Sequence, residues 1–378
     1  MCLDPIKFAA LSKEQDVVFN LPLDGFHLVV GPPGTGKSVV ALHRAARFAN
    51  SKPKRDFVIL TKSRLLKEWT KESSSDLSID SGSISTYHSW AASWHLKSFK
   101  VRIPKIEDYV YDWLEVEKKI GSLGFEKILN LIIDEGQDLP PNFYKILPKI
   151  AQSVTVFADE NQTLSDQNSS LDQIQASLNL GKGEVKKLTK NYRNCRDIAV
   201  LSSKFYTGAS TGIPTLPERK CPTGMPTLNK FRNRIQQAKY IHTWQKNNPT
   251  KKIGVFVPTS KSRDAFEAIF QDLESKIQVF NKDTKVEDLE LCEPGIFLTW
   301  FDNSKGLEFD HVFIPALEDW NPKINTSDLE KTAALRKLYV LTSRAKEQLH
   351  LMWAPDEGGK QPVVAKLLPL NFLEEAVG

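Results

Sequence analysis

Gly31-Pro32-Pro33-Gly34-Thr35-Gly36-Lys37-Ser38 fits the pattern G-x-x-x-x-G-K-[ST], and its flanks are the ones the pattern needs. Ahead of it, Phe26-His27-Leu28-Val29-Val30 reads as a buried strand; behind it, Val39 to Ala46 reads as a helix. In a strand–loop–helix setting, loop N–H groups and the helix N-terminus cradle phosphate oxygens. Lys37 then reaches the β- and γ-phosphates, and the Ser38 hydroxyl can ligate Mg²⁺. The expected ligand is ATP or another nucleoside triphosphate, cradled by Gly31, Gly34, Thr35, Gly36, Lys37 and Ser38.

Outward from this loop, strand-like runs recur between helical stretches. They lie at 57–60, 129–133 and 154–157 in the first half, and at 253–257, 296–299, 311–314 and 349–353 in the second. Several are continuously apolar, as parallel strands covered on both faces must be. Segments 260–273 and 327–341 carry the helical spacing of apolar residues. The expected class is α/β. Glycines and prolines crowd between Ser203 and Thr227, which marks a break there.

Composition narrows the classes. The chain has 378 residues, 40% hydrophobic and 26% charged, as a soluble globular protein of two domains would. No stretch reaches the length of a membrane span, and Met1-Cys2-Leu3-Asp4-Pro5 does not begin like a signal peptide, so no membrane partner is expected. The formal charge of +5 permits a nucleic-acid partner without requiring one. Cys2, Cys195, Cys221 and Cys292 are scattered and form no C-x-x-C pair, which argues against zinc and against a disulfide framework. A reducing cytoplasm is the expected compartment.

A second chemical signal is Leu131-Ile132-Ile133-Asp134-Glu135-Gly136-Gln137-Asp138, a buried strand ending in adjacent carboxylates. Neighbours at a strand end point to different sides and can take different roles. Asp134 suits the Mg²⁺ shell, and Glu135 suits the polarisation of an attacking water. Phe157-Ala158-Asp159-Glu160-Asn161-Gln162 ends another strand, where Gln162 could sense the γ-phosphate or the water. Two arginines stand downstream, Arg193 in Asn191-Tyr192-Arg193 and Arg344 in Tyr339 to Lys346; a lone arginine is ordinarily a surface ion pair.

The order of these elements resembles superfamily-1 helicases of the UvrD/Rep-like group along nearly the whole chain. Leu11-Ser12-Lys13-Glu14-Gln15 is similar to the adenine-reading element, with Gln15 as reader. Thr61 lies in the place of motif Ia, and Thr86-Tyr87-His88 resembles the T-x-H element. Asp134 to Asp138 is the D-E-x-Q-D form of motif II, and Asp159 to Gln162 resembles motif III. Asn191-Tyr192-Arg193 matches motif IV, which implies that Tyr192 stacks on adenine and Arg193 contacts the γ-phosphate. Ser304-Lys305-Gly306-Leu307-Glu308-Phe309-Asp310 matches motif V, whose glutamate, here Glu308, touches the nucleotide sugar. Tyr339 to Lys346 matches motif VI, with Arg344 as second arginine finger. The resemblance implies two tandem RecA-like domains, 1–190 and 191–378, with ATP and Mg²⁺ in the cleft between them. It also implies movement along single-stranded DNA in the 3′→5′ direction. Thr61, Thr86, His88 and Trp300 are the expected nucleic-acid contacts, and the residues alone do not separate DNA from RNA.

The chain departs from the family pattern in four ways. Lys62 follows Thr61 where an aromatic is usual; Thr163 to Gln167 lacks the usual stacking Tyr and Trp; Asp302 replaces a motif V histidine. Tyr87, Trp90, Trp94 and Trp300 are candidate substitutes for the lost base platforms, with Trp90 and Trp94 equally readable as helix packing at i,i+4. Only 46 positions separate His88 from Asp134, and 112 separate Arg193 from Lys305. The first accessory insertion is therefore small, near 90–127, and no second one is expected. Two functions fit: an ATP-driven helicase or translocase on single-stranded DNA, and a nucleic-acid-gated ATPase subunit that signals to or works within a protein complex without efficient unwinding alone; a protein partner would supply the accessory function. A small-molecule kinase leaves Gln137, Arg193 and Arg344 together unexplained.

Overall fold

A computed structural model describes residues 11–123, 127, 129–159, 168–208, 212–324, 327–355 and 360–377. The chain forms two compact units, the first reaching Thr189 and the second beginning at Lys190. This division lies ahead of the glycine- and proline-rich stretch 203–227, within which Gly212 groups with the first unit and Ile213 with the second. Each unit is α/β with its own parallel sheet, consistent with tandem RecA-like domains of P-loop NTPase type.

The first unit runs α1 (Lys13–Phe19), β1 (Gly25–Val30), α2 (Lys37–Ala49), β2 (Val58–Thr61), α3 (Arg64–Ser73), β3 (Ile84–Thr86), α4 (Tyr87–Phe99), β4 (Lys105–Glu107), β5 (Val110–Tyr111), α5 (Trp113–Leu123), β6 (Leu129–Ile133), α6 (Pro141–Ile150), β7 (Ala151–Ala158), α7 (Leu171–Ser177) and β8 (Lys186–Lys187). Its sheet has the order β3-β2-β6-β7-β1-β8, and every pair is parallel. The apolar runs explain the two covered faces. Leu28, Val30, Leu131 and Ile133 face one cluster with Trp90, Trp113 and Phe143. Their neighbours Val29 and Ile132 face the other, with Val40, Ala45 and Phe48 of α2.

The second unit adds α8 (Arg196–Ser203), β9 (Thr227–Lys230), α9 (Arg234–Asn247), β10 (Lys252–Val257), α10 (Ser260–Asp272), β11 (Ile277–Val279), β12 (Gly295–Trp300), β13 (Phe309–Ile314), α11 (Asp328–Thr342), β14 (Ala345–Trp353) and β15 (Glu374–Val377). The order is β11-β12-β10-β13-β14-β9-β15, again with parallel pairs throughout.

Two expectations need correction, one on cysteine pairing and one on base platforms. Cys195 and Cys221 form a disulfide across 26 positions, so scattered spacing did not exclude one, and the argument for a reducing compartment loses that support. Among the described residues no helix is long and apolar enough to cross a membrane. Tyr87, Trp90 and Trp94 are not base platforms: all three are buried, Trp90 and Trp94 stack on each other at 5.6 Å, and Trp113 Nε1 donates to Tyr87 Oη. In the segment near 90–127, Trp94, Trp113, Val116 and Ile120 join the first unit's core.

Core chemistry gives one prediction. His350 on β14 is buried, with Nδ1 sharing a hydrogen bond with Thr227 Oγ1 (2.7 Å) and its ring stacked on Phe313. Burial first, then the nearby His311, pushes its pKa down to about 3. The unfolded chain therefore takes up a proton below the ordinary histidine pKa of about 6.5 that the folded chain refuses, and stability falls as pH falls through that window. Between pH 6.5 and 5 this group should cost about 2 kcal/mol. In urea unfolding at pH 7 and pH 5, His350→Gln should shrink the pH-dependent loss by that amount; an undiminished loss would show that other groups carry it.

Candidate active site

The phosphate loop is positioned from both sides. Gly31 N donates to Ala158 O of β7 (3.2 Å), and Leu188 N donates to Val30 O (2.9 Å). Gly34 (φ 82°) and Gly36 (φ 85°) adopt left-handed backbone, the region glycine enters without penalty. Gly36 is the N-cap of α2, so the first α2 N–H groups face the loop's concavity. A Cβ on Gly36 would also stand 2.4 Å from Gln15 Nε2. Lys37 is buried, and its ammonium donates to Gly31 O (2.6 Å) and Pro32 O (3.2 Å); Thr35 Oγ1 donates to Pro32 O (2.8 Å).

Gln15 is tied to this loop. Its Oε1 accepts from Ser12 N (3.0 Å), closing a capping box at the start of α1, and its Nε2 donates to Thr35 O (3.1 Å). Buried Arg44 of α2 holds the end of α1 through the carbonyls of Val18, Leu21 and Pro22.

The carboxylates stand where β6 ends. Ser38 Oγ donates to Asp134 Oδ2 at 2.7 Å, so hydroxyl and carboxylate lie within reach of one cation. Burial, then the neighbouring Glu135, raises Asp134 to about 6, against the lowering pull of Ser38 and Lys37. A buried carboxylate raised this way is a fitting hard-oxygen ligand for a divalent ion. Glu135 adopts left-handed backbone (φ 53°) directly after Asp134, at the turn that ends β6. Gln137, fully buried, donates from Nε2 to Glu135 Oε2 (2.6 Å) and accepts at Oε1 from Asp159 N (2.9 Å). It fixes the carboxylate and ties the ends of β6 and β7 together, a positioning role that the motif alone did not disclose. Gly136 leaves room for this turn, since a Cβ there would lie 2.4 Å from Val156. Gln162 lies outside the described residues.

The second unit gathers a separate cluster. Arg193 Nε donates to Glu308 Oε1 at 2.7 Å, a second guanidinium nitrogen joins the same oxygen, and Lys346 Nζ is 3.4 Å from Oε2. Burial alone would raise Glu308; Arg193, Lys346 and Arg344 instead hold it at about 2. Arg344 is buried, donating from Nε to Val340 O (2.9 Å). Tyr192 is 41% exposed, with Lys190 Nζ 5.6 Å from its ring centroid. Asn194 aligns the two arginine segments: its Nδ2 donates to Ser343 O (3.1 Å) and Ala345 O (2.5 Å). Arg219 adds bonds to Arg193 O and Lys346 O. Only the position of Asn194, directly after motif IV, hinted at this clamp.

The expected nucleic-acid contacts are partly structural. Thr61 and Thr86 are register partners at the ends of β2 and β3, both buried, and Thr86 caps α4. His88 stands two residues on, in the first turn of α4, and its Nε2–H donates to Tyr109 O (3.0 Å). Trp300, in the second unit, is half-buried against that unit's core.

Residues 15–168 match a family model described as an AAA domain, and residues 227–356 match the UvrD-like helicase C-terminal domain. No curated protein matches the chain. Among solved structures, the C-terminal domain of a possible DNA helicase from Lactobacillus plantarum WCFS1 aligns over 48% of this chain and 97% of its own, at 14% identity and a TM-score of 0.34.

Proposed function

Because the chain belongs to the UvrD-like helicases of superfamily 1, we propose that it hydrolyses ATP to move along single-stranded DNA in the 3′→5′ direction. The observation that carries this is the constellation of Lys37, Ser38, Asp134, Glu135 and Gln137 at the carboxyl ends of β1, β6 and β7. Lys37 and the N–H groups of Gly34 to Ser38 hold the β- and γ-phosphates. Ser38 and Asp134 hold Mg²⁺, which when bound neutralises charge on the phosphate oxygens. Glu135, held by Gln137, takes the proton of the attacking water. Gln15 reads adenine, Tyr192 stacks on it, and Glu308 meets the sugar. Arg193 and Arg344 stabilise charge on the transferred phosphoryl group, so turnover couples the two units.

The expected result is ATP hydrolysis stimulated by single-stranded DNA more than by duplex. Affinity for the strand should be tolerant of sequence and should fall as salt rises, because phosphate contacts release counterions. Hydrolysis indifferent to nucleic acid would overturn the reading. A block at the 5′ end should be released faster than one at the 3′ end, and the reverse order would overturn the polarity.

The packing of Trp94, Trp113, Val116 and Ile120 into the first unit's core favours a second element of the reading, that the chain alone separates strands poorly. Stacking returns about 1.4 kcal/mol per step to a re-annealing duplex, and a wedge is needed to resist it. Single-turnover unwinding of a 3′-tailed duplex should be weak and improved by a partner protein. Processive separation of a long duplex by the chain alone would refute this.

A further inference from the structure

The loop of the hairpin β4–β5, which meets the site above through the bond from His88 to Tyr109 O, lines a cavity of about 200 Å³ in the first unit. This volume is below the ~300–1,000 Å³ of pockets for drug-sized ligands and suits a single flat ring system. Tyr109, at the hairpin's tip, is 78% exposed. It is held in left-handed backbone (φ 65°), which a non-glycine residue seldom adopts, while His88 Nε2–H bonds its carbonyl. Tyr111 Oη returns a bond to His88 O (3.0 Å), so α4 and the hairpin are stapled in both directions. The Tyr109 ring meets that of His88 edge-on at 6.1 Å and otherwise stands largely in solvent on a fixed backbone, which is what a stacking platform requires.

The rest of the lining is complementary. Exposed Lys62, at the end of β2, brings a cation to the rim, and the charges of Lys62 and Lys105 both act on His88. Also in the lining, Asn168 Nδ2 donates to Asp138 Oδ1 (3.1 Å), and this amide and carboxylate can meet the edge of a planar heterocycle. Cation, open aromatic ring and polar edge groups together match a nucleotide unit of a single strand.

Resting on the nucleic-acid reading above, we propose that this cavity receives one unstacked base of the bound strand, lying on Tyr109 with its phosphate toward Lys62. The hairpin thus restores a stacking surface that the segment around Thr61 and Lys62 does not itself carry.

The test measures affinity of the full chain for fluorescently labelled dT20 and for a 20-mer of abasic units. Tyr109→Ala should weaken dT20 binding roughly 5- to 150-fold, the span that loss of one base–aromatic stack gives. It should leave the abasic strand unaffected, and Tyr109→Phe should bind dT20 like the wild type. Lys62→Ala should weaken both strands and lower the slope of log affinity against log salt by about one. Tyr109 lies outside the core, so its replacement leaves the fold intact. Binding of dT20 by Tyr109→Ala within twofold of wild type, or equal losses on both strands, would overturn the pocket. Wild-type protein that fails to bind dT20 at all would overturn the nucleic-acid reading and the pocket with it.

Discussion

Lys37→Ala should bring ATP turnover to the detection limit, and Glu135→Gln should lower kcat roughly 10²–10⁴-fold while ATP remains bound. The two losses differ in kind. Lys37 is held by Gly31 O and Pro32 O inside the loop, so its ammonium is already oriented for phosphate. Removing it deletes the main positive charge of the cradle, and both binding and chemistry suffer. Glu135→Gln keeps size and shape, and Gln137 Nε2 can still donate to the remaining carbonyl oxygen, so the turn between β6 and β7 should survive. An amide has no basicity at neutral pH, so the attacking water keeps its proton. Fluorescent-nucleotide binding together with single-turnover hydrolysis separates the cases. A near-normal kcat in Glu135→Gln would remove Glu135 from the role of base.

How much of this was legible in the sequence depends on how local each feature is. The phosphate loop was, because strand, glycines, lysine and helix are contiguous between Phe26 and Ala46. The long central strands were, because burial on both faces forces runs such as Leu129–Ile133 to be continuously apolar. The short strands β3, β8, β11 and β15 were not: two to four residues carry no period, and only their pairing makes them strands. Trp90 and Trp94 read equally as packing or platform, since an i,i+4 pair fits both until the facing Phe143 is known. The Cys195–Cys221 bond and the Arg193–Glu308 pair join residues 26 and 115 positions apart, and no spacing rule reaches that far. Tyr109 was passed over because a tyrosine in a polar loop looks ordinary; its exposure and its bond from His88 distinguish it only in three dimensions.

Arg193→Ala and Arg344→Lys should each lower kcat about 10³-fold or more, with a smaller effect on ATP affinity. The choice of substitutions follows from the surroundings. Arg193 is only partly buried, and its removal leaves Glu308 with the charges of Lys346 and Arg344, so the cluster keeps a balanced carboxylate. Arg344 is buried and bonded to Val340 O; an alanine there would open a cavity in the second unit, confounding catalysis with folding. Lysine keeps the charge and much of the volume but loses the planar fork, which is the feature that meets several phosphoryl oxygens at once. Glu308→Gln sharpens the test. In the structure Arg193 is engaged by Glu308, and a guanidinium must loosen that pair before it can serve a phosphate. Weakening the pair should therefore leave Arg193 freer, and any loss of kcat in Glu308→Gln should be far smaller than in Arg193→Ala. Measured at saturating ATP and saturating single-stranded DNA, normal hydrolysis by Arg193→Ala or Arg344→Lys would show that the arginine concerned stabilises the second unit and nothing more. Equal losses in Glu308→Gln and Arg193→Ala would instead make the ion pair itself, not the free guanidinium, the element that hydrolysis requires.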